Sequence, residues 1–227
     1  MSVGVVVVTG GASGLGAAVA QGVAREGGIP VVLDRTEPRF EVEHTLVDLA
    51  DGRAAERAVA EAAERHGRLD AVVAAAGTDA CGKLGDVPAE DWERVVAVNL
   101  LGTAAVVRAA LPHLERAGGR VVTVASTLGL RGMSDATAYC ASKFGIVGFT
   151  RALAAETAGR IGVTLLIPGG MHTAFFDGRP EQYKPAPDAK LNRPEDVAEA
   201  VLFALRQPAG CEVRELLVAP STETSWP

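Results

Sequence analysis

Two side chains set the chemistry that this sequence can support. Tyr139 and Lys143, in the run Tyr139-Cys140-Ala141-Ser142-Lys143, stand four positions apart, which puts both on one face of a helix. A phenol in water gives up its proton only near pH 10. A neighbouring ammonium stabilises the phenolate, so the spacing predicts a tyrosine of lowered pKa that exchanges a proton with a hydroxyl or carbonyl oxygen. Ser126 ends an apolar run that reads as a strand. Ligands gather at the carboxyl ends of strands in open α/β sheets, so its hydroxyl is placed to hold the same reacting oxygen. Taken singly, these residues also fit an ordinary amphipathic helix and a serine that caps a turn.

A second group of residues is suited to an anion. The first apolar run ends in Thr9-Gly10-Gly11-Ala12-Ser13-Gly14-Leu15-Gly16. Gly10, Gly14 and Gly16 allow a tight turn at positive φ. Together with Ser13 and Leu15 they bring backbone N–H groups up to a pyrophosphate at the start of the next helix, where the dipole favours negative charge. Asp34 ends the second apolar run about 20 residues after Gly14, the offset of an acid that takes adenosine ribose hydroxyls. Its charge disfavours a 2′-phosphate and points to NAD(H). Arg35 follows it and is the residue type that accommodates a 2′-phosphate, so NADP(H) stays open. No Gly-Lys-Ser/Thr follows the glycines, which excludes a P-loop.

These residues need elements to hold them. Apolar runs at 3–9, 30–34, 71–76, 120–126, 163–167 and 215–218 read as strands, with a weaker strand at 43–47. Helical patterns cover 14–27, 51–66 with Asp51 as cap, 88–116 with a bend near Pro112, 136–159, and 194–206 with proline at its start. Strands and helices alternate from end to end, which predicts an α/β fold: a doubly wound, seven-stranded, mainly parallel sheet with helices on both faces. Residues 1–227 show no linker and read as one domain. The stretch 169–193, with Phe175, Phe176 and Tyr183, is long enough for a substrate loop.

Composition narrows the field. Of 227 residues, 48% are apolar and 22% charged, as in ordinary globular chains with a sizeable core. A net charge of −6 without a Lys/Arg run lacks the footprint of a nucleic-acid or membrane-surface binder. Cys81, Cys140 and Cys211 have no metal-ligand spacing and read as reduced cytoplasmic thiols, with no metal implied. The apolar N-terminal run is too short for a membrane span.

Together these features resemble the short-chain dehydrogenase/reductase family, in its compact branch with a Rossmann-type fold. The match rests on the glycine loop, Asp48-Leu49, Asn99, Ser126, Tyr139-x-x-x-Lys143, and Pro168-Gly169 followed by Thr173. The resemblance implies hydride transfer between a nicotinamide cofactor and a secondary alcohol or ketone. It implies that Tyr139 is the general acid/base, that Ser126 orients the substrate oxygen, and that Lys143 reaches the cofactor ribose with Asn99 supporting a proton relay. Asp48 and Leu49 would meet the adenine, the backbone of Ala76 and Gly77 the ribose, and Pro168, Gly169 and Thr173 the nicotinamide side. A homodimer or homotetramer formed through the two long helices is also implied. A 3-oxoacyl thioester reductase or 3-hydroxyacyl dehydrogenase of the same family is the alternative, and a non-catalytic nucleotide sensor a more distant one. Two departures stand out. Ala74-Ala75-Ala76-Gly77 replaces the usual Asn-Asn-Ala-Gly, and the end of the chain, including Trp226, lacks the usual Asp-Gly-Gly.

Overall fold

The computed structural model describes residues 3–223; the rest of the tail, with Trp226, lies outside the described residues. Seven strands, β1 (Val5–Thr9), β2 (Ile29–Asp34), β3 (Glu43–Leu46), β4 (Ala71–Ala74), β5 (Arg120–Val124), β6 (Gly162–Pro168) and β7 (Glu215–Val218), form one sheet in the order β3-β2-β1-β4-β5-β6-β7. Every pairing is parallel. The helices are α1 (Gly14–Arg25), α2 (Gly52–His66), α3 (Ala89–Val96), α4 (Thr103–Ala117), α5 (Thr137–Glu156) and α6 (Pro194–Leu205).

The run of valines in β1 explains the layering. Alternate side chains of a strand face opposite sides, and here both sides are covered. Val5 and Val7 join a core with residues of α2, α4 and α5, while Val6 and Val8 join one with α1 and α6. A strand buried on both faces has no reason to alternate apolar with polar, which is why β1 is fully buried along its length. Chain order reverses between β1 and β4, and this switch point opens the crevice where ligands bind in such sheets. Asp51 caps α2, accepting from the Arg53 and Ala54 backbone N–H groups at 3.0 Å.

The predicted helix at 88–116 is broken. Residues Ala97–Gly102 form a π-helical segment between α3 and α4, and Pro112 stays inside α4. The irregularity therefore sits near Asn99, not at the proline; insertions of this kind re-aim a side chain at functional sites. A Cβ at Gly102 would lie 2.6 Å from the Leu49 carbonyl oxygen, so the start of α4 rests directly on the Asp48-Leu49 loop. By length and composition the stretch 89–117 would cross a membrane, but Val95, Val106, Val107, Ala110 and Leu114 are buried in this fold.

Candidate active site

The glycine loop is shaped by close contacts. Gly10 and Gly14 have φ of 67° and 52°. A Cβ at Gly10 would sit 2.7 Å from Ala76 Cα, and one at Gly16 would sit 2.2 Å from the Gly10 carbonyl oxygen. The turn thus folds tightly against the end of β4 and leads into α1. Ser13 at the N-cap makes no side-chain cap hydrogen bond, and the first turn of α1 holds no acid. No side chain of the helix's own start claims its N-terminal amides, which is the arrangement an incoming pyrophosphate requires.

Asp34 reaches back to this loop. One carboxylate oxygen accepts from the Ala12 N–H at 3.0 Å, and the other accepts from the Thr36 N–H and hydroxyl, each at 3.0 Å. Arg35 is exposed. Asp48 accepts from the Ala50 N–H at 2.9 Å and from Arg94 at 2.8 Å. These contacts, the backbone one first, hold its carboxyl below the usual range. Leu49 is buried.

The Ala74-Ala75 departure leaves the segment anchored. Thr9 accepts from the Ala76 N–H at 3.2 Å, and Ala75 and Ala76 pack against the two cores. Beyond Gly77, Asn99 takes over. Its side chain accepts from the Thr78 N–H at 2.8 Å and donates to the Thr78 carbonyl at 2.9 Å and the Ser142 hydroxyl at 3.0 Å. One buried amide therefore couples the loop after β4 to α5. A Cβ at Gly77 would lie 3.7 Å from both Asn99 Oδ1 and Lys143 Nζ, so the ribose-side backbone and the tetrad are neighbours.

Ser126 caps the short 3-10 turn Thr127–Gly129, accepting from the Leu128 N–H at 3.1 Å, two residues beyond β5. Its hydroxyl shares a hydrogen bond with the Tyr139 hydroxyl. Lys143 is buried and donates from Nζ to the Val124 carbonyl at 2.9 Å. Nζ lies 5.5 Å from the centre of the Tyr139 ring, over its face. Serine, tyrosine and lysine converge, but the lowered phenol pKa expected from the lysine is not found. Burial pushes the phenol up to about 12, against the hydrogen bond with Ser126. Burial likewise pulls Lys143 down to about 8, against the charge of Asp79. Desolvation is the largest cause of both shifts.

The stretch 169–193 is tied to the body of the fold. Asn192 donates to the Gly170 carbonyl at 3.0 Å and accepts from the His172 N–H at 2.9 Å. Thr173 caps the 3-10 turn Ala174–Phe176. Gly170 donates to the Glu223 carboxylate at 3.1 Å, beside Pro168 and Gly169. His172 is exposed. Phe175 lies 5.6 Å from Tyr139 between ring centres, so it covers the catalytic candidate instead of filling a core. Cys140 is a buried thiol.

Arg179, Asp79, Asp135 and Cys81 gather at this end although no sequence motif pairs them. Arg179 donates to Asp79 at 2.7 Å, across a hundred residues of chain. Asp135 is the one non-glycine at positive φ, 60°, among the described residues, and its carbonyl accepts from the Gly82 N–H at 2.8 Å. Cys81 donates to Asp79 at 3.3 Å; burial, then the Asp79 charge, pushes its thiol up to about 11, which makes it a poor nucleophile. Among the described residues no cluster of His, Cys, Asp or Glu could hold a metal ion.

A doubly wound sheet carrying this loop and this group of side chains defines a nucleotide-dependent oxidoreductase. The comparisons with known proteins place it more closely. A family model described as short chain dehydrogenase matches residues 4–184, and the chain belongs to that family. An uncharacterised oxidoreductase of Staphylococcus aureus strain MW2 is 32% identical over 95% of this chain and 96% of the relative. The (2S)-[(R)-hydroxy(phenyl)methyl]succinyl-CoA dehydrogenase subunit BbsD of Thauera aromatica is 32% identical over 94% of this chain and 93% of that protein. The crystal structure of an alcohol dehydrogenase from Thermococcus sibiricus, complexed with 5-hydroxy-NADP, superposes with a TM-score of 0.85 at 27% identity, covering 95% of each chain. The protein is thus an oxidoreductase acting on CH–OH groups with a nicotinamide dinucleotide.

Proposed function

We propose that the protein oxidises a secondary alcohol, or reduces the matching ketone, with NAD(H) as preferred cofactor and Tyr139 as general acid/base. The observation that carries this reading is the meeting of Ser126, Tyr139 and Lys143 beside Gly77 at the carboxyl end of the sheet. The cofactor fits the residues present: the α1 amides take the pyrophosphate, Asp34 the adenosine ribose, Gly77 and Lys143 the second ribose, and Thr173 the carboxamide. When bound, the nicotinamide supplies the hydride acceptor or donor. Ser126 holds the substrate oxygen and Tyr139 takes the carbinol proton during oxidation, returning it during reduction. Lys143 stabilises the phenolate that forms, and Asn99 keeps α5 and the loop after β4 in register so that these groups stay aligned. The Asp34 oxygen that accepts only from Ala12 keeps a lone pair for a ribose hydroxyl, while the carboxylate charge opposes a 2′-phosphate.

The Thauera relative's name supports a second reading, an acyl-CoA substrate. Two basic groups of the 169–193 loop are already paired, which favours the simple alcohol instead. Arg179 is paired with Asp79, and Lys184 with Glu181 at 2.9 Å. Exposed Leu101 and Phe144, in the π-helical segment before α4 and on α5, support a homodimer or homotetramer.

The test is a pair of binding titrations, with NADH and NADPH, followed by a screen of cyclohexanol, 2-pentanol and 3-hydroxybutyryl-CoA. NADH should bind about tenfold more tightly or better. Tighter NADPH binding would reverse the cofactor preference, and turnover of the thioester alone would favour the second reading.

A further inference from the structure

Two charged residues outside the tetrad are built into the same site. Asp79 follows the segment that Asn99 clamps, and its side chain is almost wholly buried, 7% exposed. It accepts from Arg179 at 2.7 Å, from the Ala80 N–H at 2.7 Å and from Cys81. Arg179, itself 16% exposed, lies 4.7 and 4.8 Å over the rings of Phe175 and Phe176. Its Nη1 makes only a long contact with the Tyr183 carbonyl, 3.4 Å, and its buried Nε has no acceptor among the described residues. Asp79 is therefore its main polar anchor. Phe175 in turn covers Tyr139.

We propose that Asp79 and Arg179 are positioning residues for proton transfer: they fasten the 169–193 loop to the floor of the site, seat Phe175 on Tyr139, and present the phenol with two opposed charges. A buried cation without its partner carries a large desolvation penalty, so losing Asp79 releases the loop. The charged and titratable groups facing Tyr139 are Lys143 and Cys140 on its own helix, Asp79 after β4, and Arg179 in the loop; the Tyr183 hydroxyl and Asp135, 3.3 Å apart, lie beyond them. Asp79 disfavours the phenolate and Arg179 favours it. Removing one or the other therefore moves proton transfer in opposite directions, whereas simple loosening moves it one way. This inference rests on the role proposed for Tyr139.

The experiment uses the full chain, with and without saturating NADH, as wild type, Asp79→Asn, Arg179→Gln, Arg179→Lys and the double variant Asp79→Asn/Arg179→Gln. Amide hydrogen exchange over 174–184 should quicken about tenfold or more in each single variant and no further in the double, because both changes break one contact. Exchange in β1 and β4 should stay unchanged, which separates release of the loop from misfolding. Unchanged loop exchange, or additive gains, overturns the latch. The rising limb of kcat/KM against pH, measured with the alcohol that wild type oxidises, should move to lower pH in Asp79→Asn and to higher pH in Arg179→Gln, each by about half a unit or more. Arg179→Lys keeps the charge and should leave the limb in place. A shift of both limbs in one direction, or none, overturns the positioning role. If Tyr139→Phe retains full turnover, the reading of Tyr139 fails, and the exchange result decides the latch by itself.

Discussion

At the scale of single residues, the site is governed by burial more than by neighbouring charge. The four-residue spacing of Tyr139 and Lys143 was legible in the sequence, and so was their convergence with Ser126. The direction of the phenol's pKa was not, because spacing reports which groups are close and not how much water they lose. Stability should carry the imprint. Tyr139, raised to about 12 from an ordinary 10, is neutral in both states below pH 10, so its contribution is fully present there. That contribution is lost as pH rises from 10 to 12. Lys143, lowered from 10.5 to about 8, runs the other way. Below pH 8 the folded state bears the penalty of a buried ammonium, and that penalty disappears between pH 8 and 10.5. Lys143→Met should therefore be more stable than wild type at pH 7, by about 1–3 kcal/mol, with the gap closing by pH 10.5. Chemical denaturation at the two pH values checks this. Gly16→Ala forces a Cβ to within 2.2 Å of the Gly10 carbonyl oxygen. It should cost about 1–3 kcal/mol and weaken NADH binding at least about tenfold, as read by fluorescence titration.

At the scale of elements, regular pieces were legible and their interruptions were not. The strand at 215–218 and the cap at Asp51 stand where the sequence put them, because local pattern and capping chemistry determine both. The π-helical segment at Ala97–Gly102 left no trace, since apolar spacing runs on through it and the cause is tertiary. Asn99 must face Thr78 and Ser142 together. Asn99→Ala removes three side-chain hydrogen bonds and strands the buried groups they satisfied. It should destabilise the protein by about 2–4 kcal/mol and lower kcat more than it raises KM, which thermal unfolding and steady-state kinetics would show. The ties across the 169–193 loop were equally hidden. Asp79 follows β4 and Arg179 follows β6, so they meet only through the tertiary fold, and no local rule pairs residues so far apart.

For the whole molecule, parallel order accounts for where the site lies. The valine run of β1 could be read as a strand covered on both faces, and the alternation of strands with helices pointed to the doubly wound sheet. Self-association is a matter of surface. Leu101 and Phe144 are 60% and 47% exposed, two of eight large apolar side chains left open among the described residues. Sedimentation should show a dimer or tetramer, and Leu101→Glu with Phe144→Glu should shift it toward monomer. Proton transfer at Tyr139 is the central step proposed for this molecule, and the most direct measurement compares Tyr139→Phe with wild type for both NADH binding and oxidation of the alcohol the wild type accepts. NADH affinity should stay within about twofold of wild type while turnover falls by about 10²–10⁴-fold. Undiminished turnover in Tyr139→Phe would contradict that step.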